Sequence, residues 1–158
     1  MAARKITGKQ ILAGSGAVVL AGGVIYFSRL SRMKANLEIL SKVMIQKINL
    51  TGITIRVEVQ IKNPTEGSVK VKFPFIKMQY KGSTFASSEV QNKDFTLPKF
   101  GQINLDPIFI TLSYMNLATT APALLRDYRT TGNLSFNLET ITTLNNSIPF
   151  SKVSLIKL

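Results

Sequence analysis

From Gly52 to Lys62 the chain reads GITIRVEVQIK, with Ile53, Ile55, Val57, Val59 and Ile61 alternating against Thr54, Arg56, Glu58, Gln60 and Lys62. A period of two sends one set to each face of a strand, so this segment predicts a strand with one buried and one wet side. Asn63-Pro64 ends it, because Pro64 has no N–H for a ladder and holds Asn63 extended. Both residues are expected to be structural: a side chain that caps the turn and a rigid exit from the strand. Val69, Val71 and Phe73 resume the alternation, and Ile76, Met78 and Tyr80 continue it one residue out of phase. The slip at Pro74 suits a bulge or a break.

Lys81-Gly82-Ser83 reads as a hairpin turn, Phe95 to Leu97 as a strand closed by Pro98, and Ile108 to Tyr114 as another. One helix is expected from about Leu117 to Tyr128. After the Gly132 turn come Leu134, Phe136 and Leu138, then a last strand after Pro149 formed on Val153, Leu155 and Lys157. Upstream of Gly52 the pattern is mixed, and the reading is helix to about Leu40 and strand from Val43. Six or seven short strands at such spacing predict a mainly β antiparallel sandwich over 43–158.

The N-terminal region follows a different rule. Ile11 to Phe27 carries no charge and lies between Lys9 and Arg29. At about 1.5 Å per helical residue the run reaches roughly 25 Å, the short end of what crosses a hydrocarbon core. It predicts a transmembrane helix over 10–28 anchored by Ile11, Leu12, Val18, Val19, Leu20, Val24, Ile25, Tyr26 and Phe27, with a basic tail at 1–9 and a basic juxtamembrane linker or helix at 29–42. Tyr26 and Phe27 followed by Arg29 suit an interfacial belt with a snorkelling cation. Ala13, Ala17 and Ala21 form one small face on which another helix would pack. A cleaved leader is disfavoured because YFSRLSRMK after the run has no small-x-small site. Three basic residues stand on each side, so the charge rule nearly cancels; the α-amine tips the expectation towards an inside N-terminus.

Composition narrows the chemistry. The 158 residues hold 20 Lys+Arg against 8 Asp+Glu and contain no His, Cys or Trp. Zinc, haem, iron–sulfur and thiol sites draw on Cys or His, and triad catalysis normally takes His as its base, so no cofactor, no metal and no enzymatic activity are expected. Lys62, Lys70, Lys72, Lys77 and Lys81 are expected to give one strand pair a basic outer face. The plainer reading of that face is an edge guarded by lysines; an anionic surface is the functional one. Nucleic acid is a less favoured partner, because interleaved aromatics are missing. Three Asn-x-Ser/Thr triplets begin at Asn49, Asn133 and Asn145, and their use for glycosylation is not expected.

In order, VEVQIKNPT (Val57 to Thr65), QYKGSTFASS (Gln79 to Ser88), LPKFG (Leu97 to Gly101), ALLRDYRTTGNLSF (Ala123 to Phe136) and IPFSKVSLIKL (Ile148 to Leu158) resemble the late embryogenesis abundant group 2 family, also called the WHy (water stress and hypersensitive response) domain. The resemblance covers residues 43–158. It departs where the family often carries a second Asn and this chain has Thr65 and Glu66. It implies a fibronectin III-like or immunoglobulin-like sandwich, no active site, and a stress-protective or interaction role.

The functional expectation is a non-enzymatic, single-pass, membrane-anchored module whose partners are the lipid bilayer and a protein or assembly. Two alternatives stand beside it: a structural component of a virion or envelope assembly with the N-terminal helix buried in neighbours, and a stress-protective chaperone-like domain.

Overall fold

The computed structural model describes residues 36–158. The expected segments 1–9 and 10–28, the anchor residues, the Ala13, Ala17 and Ala21 face and the linker as far as residue 35 lie outside the described residues. Among those described, no helix is long and apolar enough to cross a membrane. Residues Leu37–Leu158 form one compact unit.

The unit is mainly β and antiparallel. Its strands are β1 (Glu38–Ile48), β2 (Gly52–Lys62), β3 (Val69–Lys72), β4 (Phe75–Tyr80), β5 (Ser83–Ser87), β6 (Asp94–Leu97), β7 (Gln102–Asn104) and β8 (Ile108–Ser113), then β9 (Ser135–Leu144) and β10 (Ile148–Lys157). Helices α1 (Tyr114–Thr120) and α2 (Pro122–Thr131) fall between β8 and β9. In the first sheet β2 pairs with β1 along one side and with β8 and then β7 along the other. In the second, β9 pairs with β10 on one side and with β4 and β3 on the other, while β5 and β6 extend those two.

The alternation in Gly52–Lys62 translates directly into burial: Ile55, Val57 and Ile61 have no exposed surface and Val59 almost none. Full burial of such a side chain contributes about 1.5–3 kcal/mol, so this strand alone supplies a large part of the core. The sheets curl together at one margin, where Ser41 Oγ of β1 meets Thr140 Oγ1 of β9 at 3.3 Å. There Lys152 Nζ of β10 donates to the Ile39 carbonyl of β1 at 2.8 Å. Thr140 and Thr142 are buried polar residues on the inner face of β9, and Thr142 donates its hydroxyl to the Lys72 carbonyl. Hydrogen bonding offsets the cost of placing them there.

Four expectations are corrected. Residues 38–42 are strand rather than helix or linker, since β1 begins at Glu38 with Ile39 buried against the core. The expected single helix is two, because Pro122 disfavours helical geometry at Ala121 (φ −139, ψ 50) and starts a second helix at its own first position. The strands among the described residues are ten, since β5 buries only Phe85 and the three-residue β7 is too short to show a period. In β10 the phase is opposite to the one expected. Val153 and Leu155 are exposed, while Phe150, Lys152, Ser154 and Ile156 share the inner face with Thr142, Thr140, Leu138 and Phe136 of β9.

The hairpin fixes that phase. Ser147 N–H donates to the Leu144 carbonyl at 3.2 Å across Asn145 and Asn146, both at positive φ (47 and 60). Asparagine tolerates this left-handed geometry. With the turn set, the register of β10 follows from that of β9.

Candidate functional site

The long strand β1 joins two contrasting ends of the unit. At one end, beside Glu38 and Lys62, lies Asn63; at the other, beside Ile48 and Gly52, lie the helices.

Asn63 is buried, and its side chain makes four hydrogen bonds. Nδ2 donates to the carbonyls of Gly67 at 2.7 Å and Pro98 at 2.9 Å, while Oδ1 accepts from Thr65 N–H at 3.2 Å and Thr65 Oγ1 at 2.6 Å. Its backbone N–H donates to Gly101 at 2.8 Å, and Phe100 N–H donates to Thr65 at 3.1 Å. The Asn-Pro step thus holds the loop after β2 against the loop after β6. With both amide protons and its carbonyl oxygen engaged, Asn63 has little left to offer a ligand.

The five lysines singled out by sequence do not share one strand pair. Lys62 stands on β2 in the first sheet, Lys70 and Lys72 on β3, Lys77 on β4 and Lys81 in the turn after it. β3 and β4 do not pair with each other; they follow one another along the same side of β9. Acids are interleaved: Lys70 Nζ lies 3.0 Å from Asp94, Lys81 Nζ lies 3.2 Å from Asp127, and Lys72 and Lys77 stand opposite Asp94 and Glu139 in the ladders. Opposite charges facing across strands stabilise the pairing and lower the net field outside it.

At the helical end, Asp127 of α2 accepts hydrogen bonds from the Tyr80 hydroxyl and from Lys81 Nζ, clamping the helix to the β4–β5 hairpin. The Tyr80 hydrogen bond, followed by that of Lys81, holds the Asp127 carboxyl below the usual carboxylate range. The same hydrogen bonds to Asp127 raise the Tyr80 phenol and the Lys81 ammonium above their ordinary values.

Two cavities lie at this end, one of them lined by Tyr80 and Asp127 of the clamp. One, of about 370 Å³, lies between the ends of β1 and β2, the helices and Leu134. Its lining side chains are apolar apart from the hydroxyls of Tyr114 and Tyr128, with backbone at Gly132 and Leu158. The other, of about 660 Å³, is a more open cleft carrying Tyr80, Asp127, Thr131, Asn133, Ser135 and Lys157. Leu124 and Leu158 line both.

The sequence reading missed this end. Tyr80 and Asp127 are far apart in the chain and stand in two separate motifs, QYKGSTFASS and ALLRDYRTTGNLSF, with nothing in either to pair them. A register shift between Ile45 and Lys47 sets Ile45 opposite Ile55 and Ile48 opposite Ile53, on the core side. The three-residue spacing of Ile45 and Ile48 was the only trace of that bulge in the sequence. Asn49 and Asn145 of the glycosylation triplets also have structural roles. Asn49 Oδ1 accepts from Thr51 and Gly52 N–H at 3.1 and 2.8 Å. Asn145 Oδ1 accepts from Lys70 N–H at 2.9 Å.

No protein-family model matches the chain, and no curated protein matches it in sequence. Among solved structures, the chain is similar to a crystal structure of a protein from Archaeoglobus fulgidus, at a TM-score of 0.52 and 14% identity over 78% of this chain and 94% of that one. It is also similar to a solution structure of an Arabidopsis thaliana protein, at a TM-score of 0.43 and 15% identity over 74% and 78% of the two chains. A further solution structure, described as a late embryogenesis abundant (LEA) protein, stands at a TM-score of 0.43 and 15% identity over 100% and 94%. The archaeal structure shows a shared fold and no more; the other two add nothing to that.

Proposed function

We propose that this chain is a non-enzymatic interaction module held at a membrane surface by residues 10–28, its body a fibronectin III-like or immunoglobulin-like sandwich of the LEA group 2 kind. One observation carries the reading: an uncharged run from Ile11 to Phe27, flanked by cations and free of acids, stands N-terminal to the compact unit Leu37–Leu158. Such a run is costly to leave in water and cheap to bury in hydrocarbon. The Asn63 node supports the family part of the reading, because it gives the Asn-Pro and Leu-Pro motifs one joint task. The mechanism is positional. The anchor fixes location, and a rigid body presents loops, helices and a cationic excess to partners.

Cell fractionation tests it. The full-length chain is expected to sediment with membranes and to resist extraction by high salt and alkaline carbonate, and deletion of residues 10–28 is expected to release it. A full-length chain that stays in the detergent-free soluble fraction overturns the proposal. Oligomers that survive lipid removal and depend on Ala13, Ala17 and Ala21 would instead favour burial of the N-terminal helix in an assembly.

A further inference from the structure

We infer that the helical end is a binding site for a single-chain anionic amphiphile of the long-chain fatty-acid class, its hydrocarbon in the apolar cavity and its carboxylate at Lys157. The inference does not depend on the membrane tether.

The cavity is of a size to hold a small ligand: about 370 Å³, within the range of roughly 300–1,000 Å³ typical of such sites. Ile53, Phe85, Leu112, Leu117, Leu125 and Leu134 supply much of its wall. Its margin uses residues that the fold otherwise leaves in water, since Ile45, Ile48, Tyr114 and Tyr128 are exposed and all four line it. Apolar side chains gathered around one opening mark an interaction site, whereas singly scattered ones do not.

The chemistry of the wall selects the occupant. A peptide or a polar metabolite would bring amides or hydroxyls into a space whose side chains offer only the two tyrosine hydroxyls, and unpaired buried polar groups are costly. A hydrocarbon chain makes no such demand. The polar end is set by the neighbouring cleft, which shares Leu124 and Leu158 with the cavity. In that cleft Asp127 is already engaged by Tyr80 and Lys81. Lys157 lines the same cleft and makes no ion pair among the described residues. Thr131, Ser135 and Asn133 stand beside it as neutral hydrogen-bonding groups. An anionic head on an unbranched tail matches both halves.

Photolabelling of the full-length chain in phosphatidylcholine bilayers tests this, using palmitic acid with a mid-chain diazirine and mapping the adducts by peptide mass spectrometry. Adducts are expected within residues 45–55 and 112–134, competed by unlabelled palmitate and reduced at least tenfold by Leu125→Trp, which fills the cavity. Ile48→Glu, at an exposed position of the opening, is expected to do the same and decides the matter if the tryptophan variant does not fold. Lys157→Glu is expected to cut labelling by the acid several-fold while leaving the matching long-chain alcohol unaffected. Adducts confined to residues 1–35 or to exposed Val153 and Leu155, or labelling indifferent to both cavity variants, overturn the site. Equal loss for acid and alcohol in Lys157→Glu overturns the assignment of the carboxylate.

Discussion

The side-chain nitrogen of Asn63 donates to the carbonyl oxygen of Pro98 at 2.9 Å, joining two loops 35 residues apart in sequence. The same nitrogen donates to Gly67 at 2.7 Å, so aspartate, isosteric but acceptor-only when ionised, would face two carbonyl oxygens. Asn63→Asp is therefore expected to destabilise the chain more than Asn63→Ala. The alanine variant is expected to cost about 2–4 kcal/mol through unsatisfied buried groups. Protonation restores one donor to the aspartate, so its deficit should shrink at acid pH. Denaturant unfolding followed by tyrosine fluorescence, which no tryptophan obscures, measures both; equal stability of Asn63→Asp and the parent would contradict the node.

Gly52 opens β2 where the backbone of β8 passes closest. A Cβ built there would lie 2.1 Å from the Leu112 carbonyl oxygen, a backbone atom that cannot swing aside. Gly52→Ala is expected to cost about 1–3 kcal/mol, as overpacking does, and to speed amide exchange in the β2–β8 ladder near Gly52 and Ser113 ahead of the rest. Uniform exchange with no loss of stability would show that the strands can separate freely there.

The clamp at Asp127 makes stability depend on pH in two directions. Asp127 titrates below its ordinary range because the Tyr80 and Lys81 hydrogen bonds favour the carboxylate. Its contribution is therefore present above the unfolded carboxylate value and lost as pH falls through the lowered one. Tyr80 and Lys81 titrate above their ordinary ranges through the same hydrogen bonds, so theirs is present below their unfolded values and lost as pH rises through the raised ones. Asp127→Asn is expected to lower the melting temperature slightly at neutral pH, as loss of an exposed pair does, with the gap to the parent closing in strong acid. Tyr80→Phe should close its own gap in alkali. Melting curves taken across pH settle both, and gaps that do not vary with pH would refute the coupling.

Legibility in the sequence followed burial geometry. Gly52–Lys62 was readable residue by residue because one face is core and the other solvent, and Pro74 marked the break between β3 and β4 through the slip in phase. Pro122 was equally visible, and its local restriction of Ala121 is the reason two helices form where one was expected. The phase of β10 was misread because Val153 and Leu155 have the hydrophobicity of an inner face, while the turn at Asn145 and Asn146 puts Lys152 and Ser154 inside. Lys152 is tolerated there because its ammonium reaches the Ile39 carbonyl at 2.8 Å. The cavity left no local signal at all, since its walls come from segments brought together only by the completed sheets.

That reversed phase is open to a direct test. Val153→Lys and Leu155→Lys, at positions 55% and 62% exposed, are expected to change stability by no more than about 0.5 kcal/mol. Phe150→Ala, on the buried side, is expected to cost about 3–5 kcal/mol. Chemical denaturation of the three variants gives the comparison, and a large loss at Leu155 with none at Phe150 would restore the opposite orientation.

The margin where Lys152 reaches Ile39 also governs how many copies can crowd together. There the first and last strands touch through that one side-chain hydrogen bond, and the other outer rims belong to strands of three to six residues. Short rims, and a long rim carrying an inward-pointing charge such as Lys152, are poor templates for another backbone, so copies packed densely side by side are expected to stay discrete particles instead of fusing into fibrils.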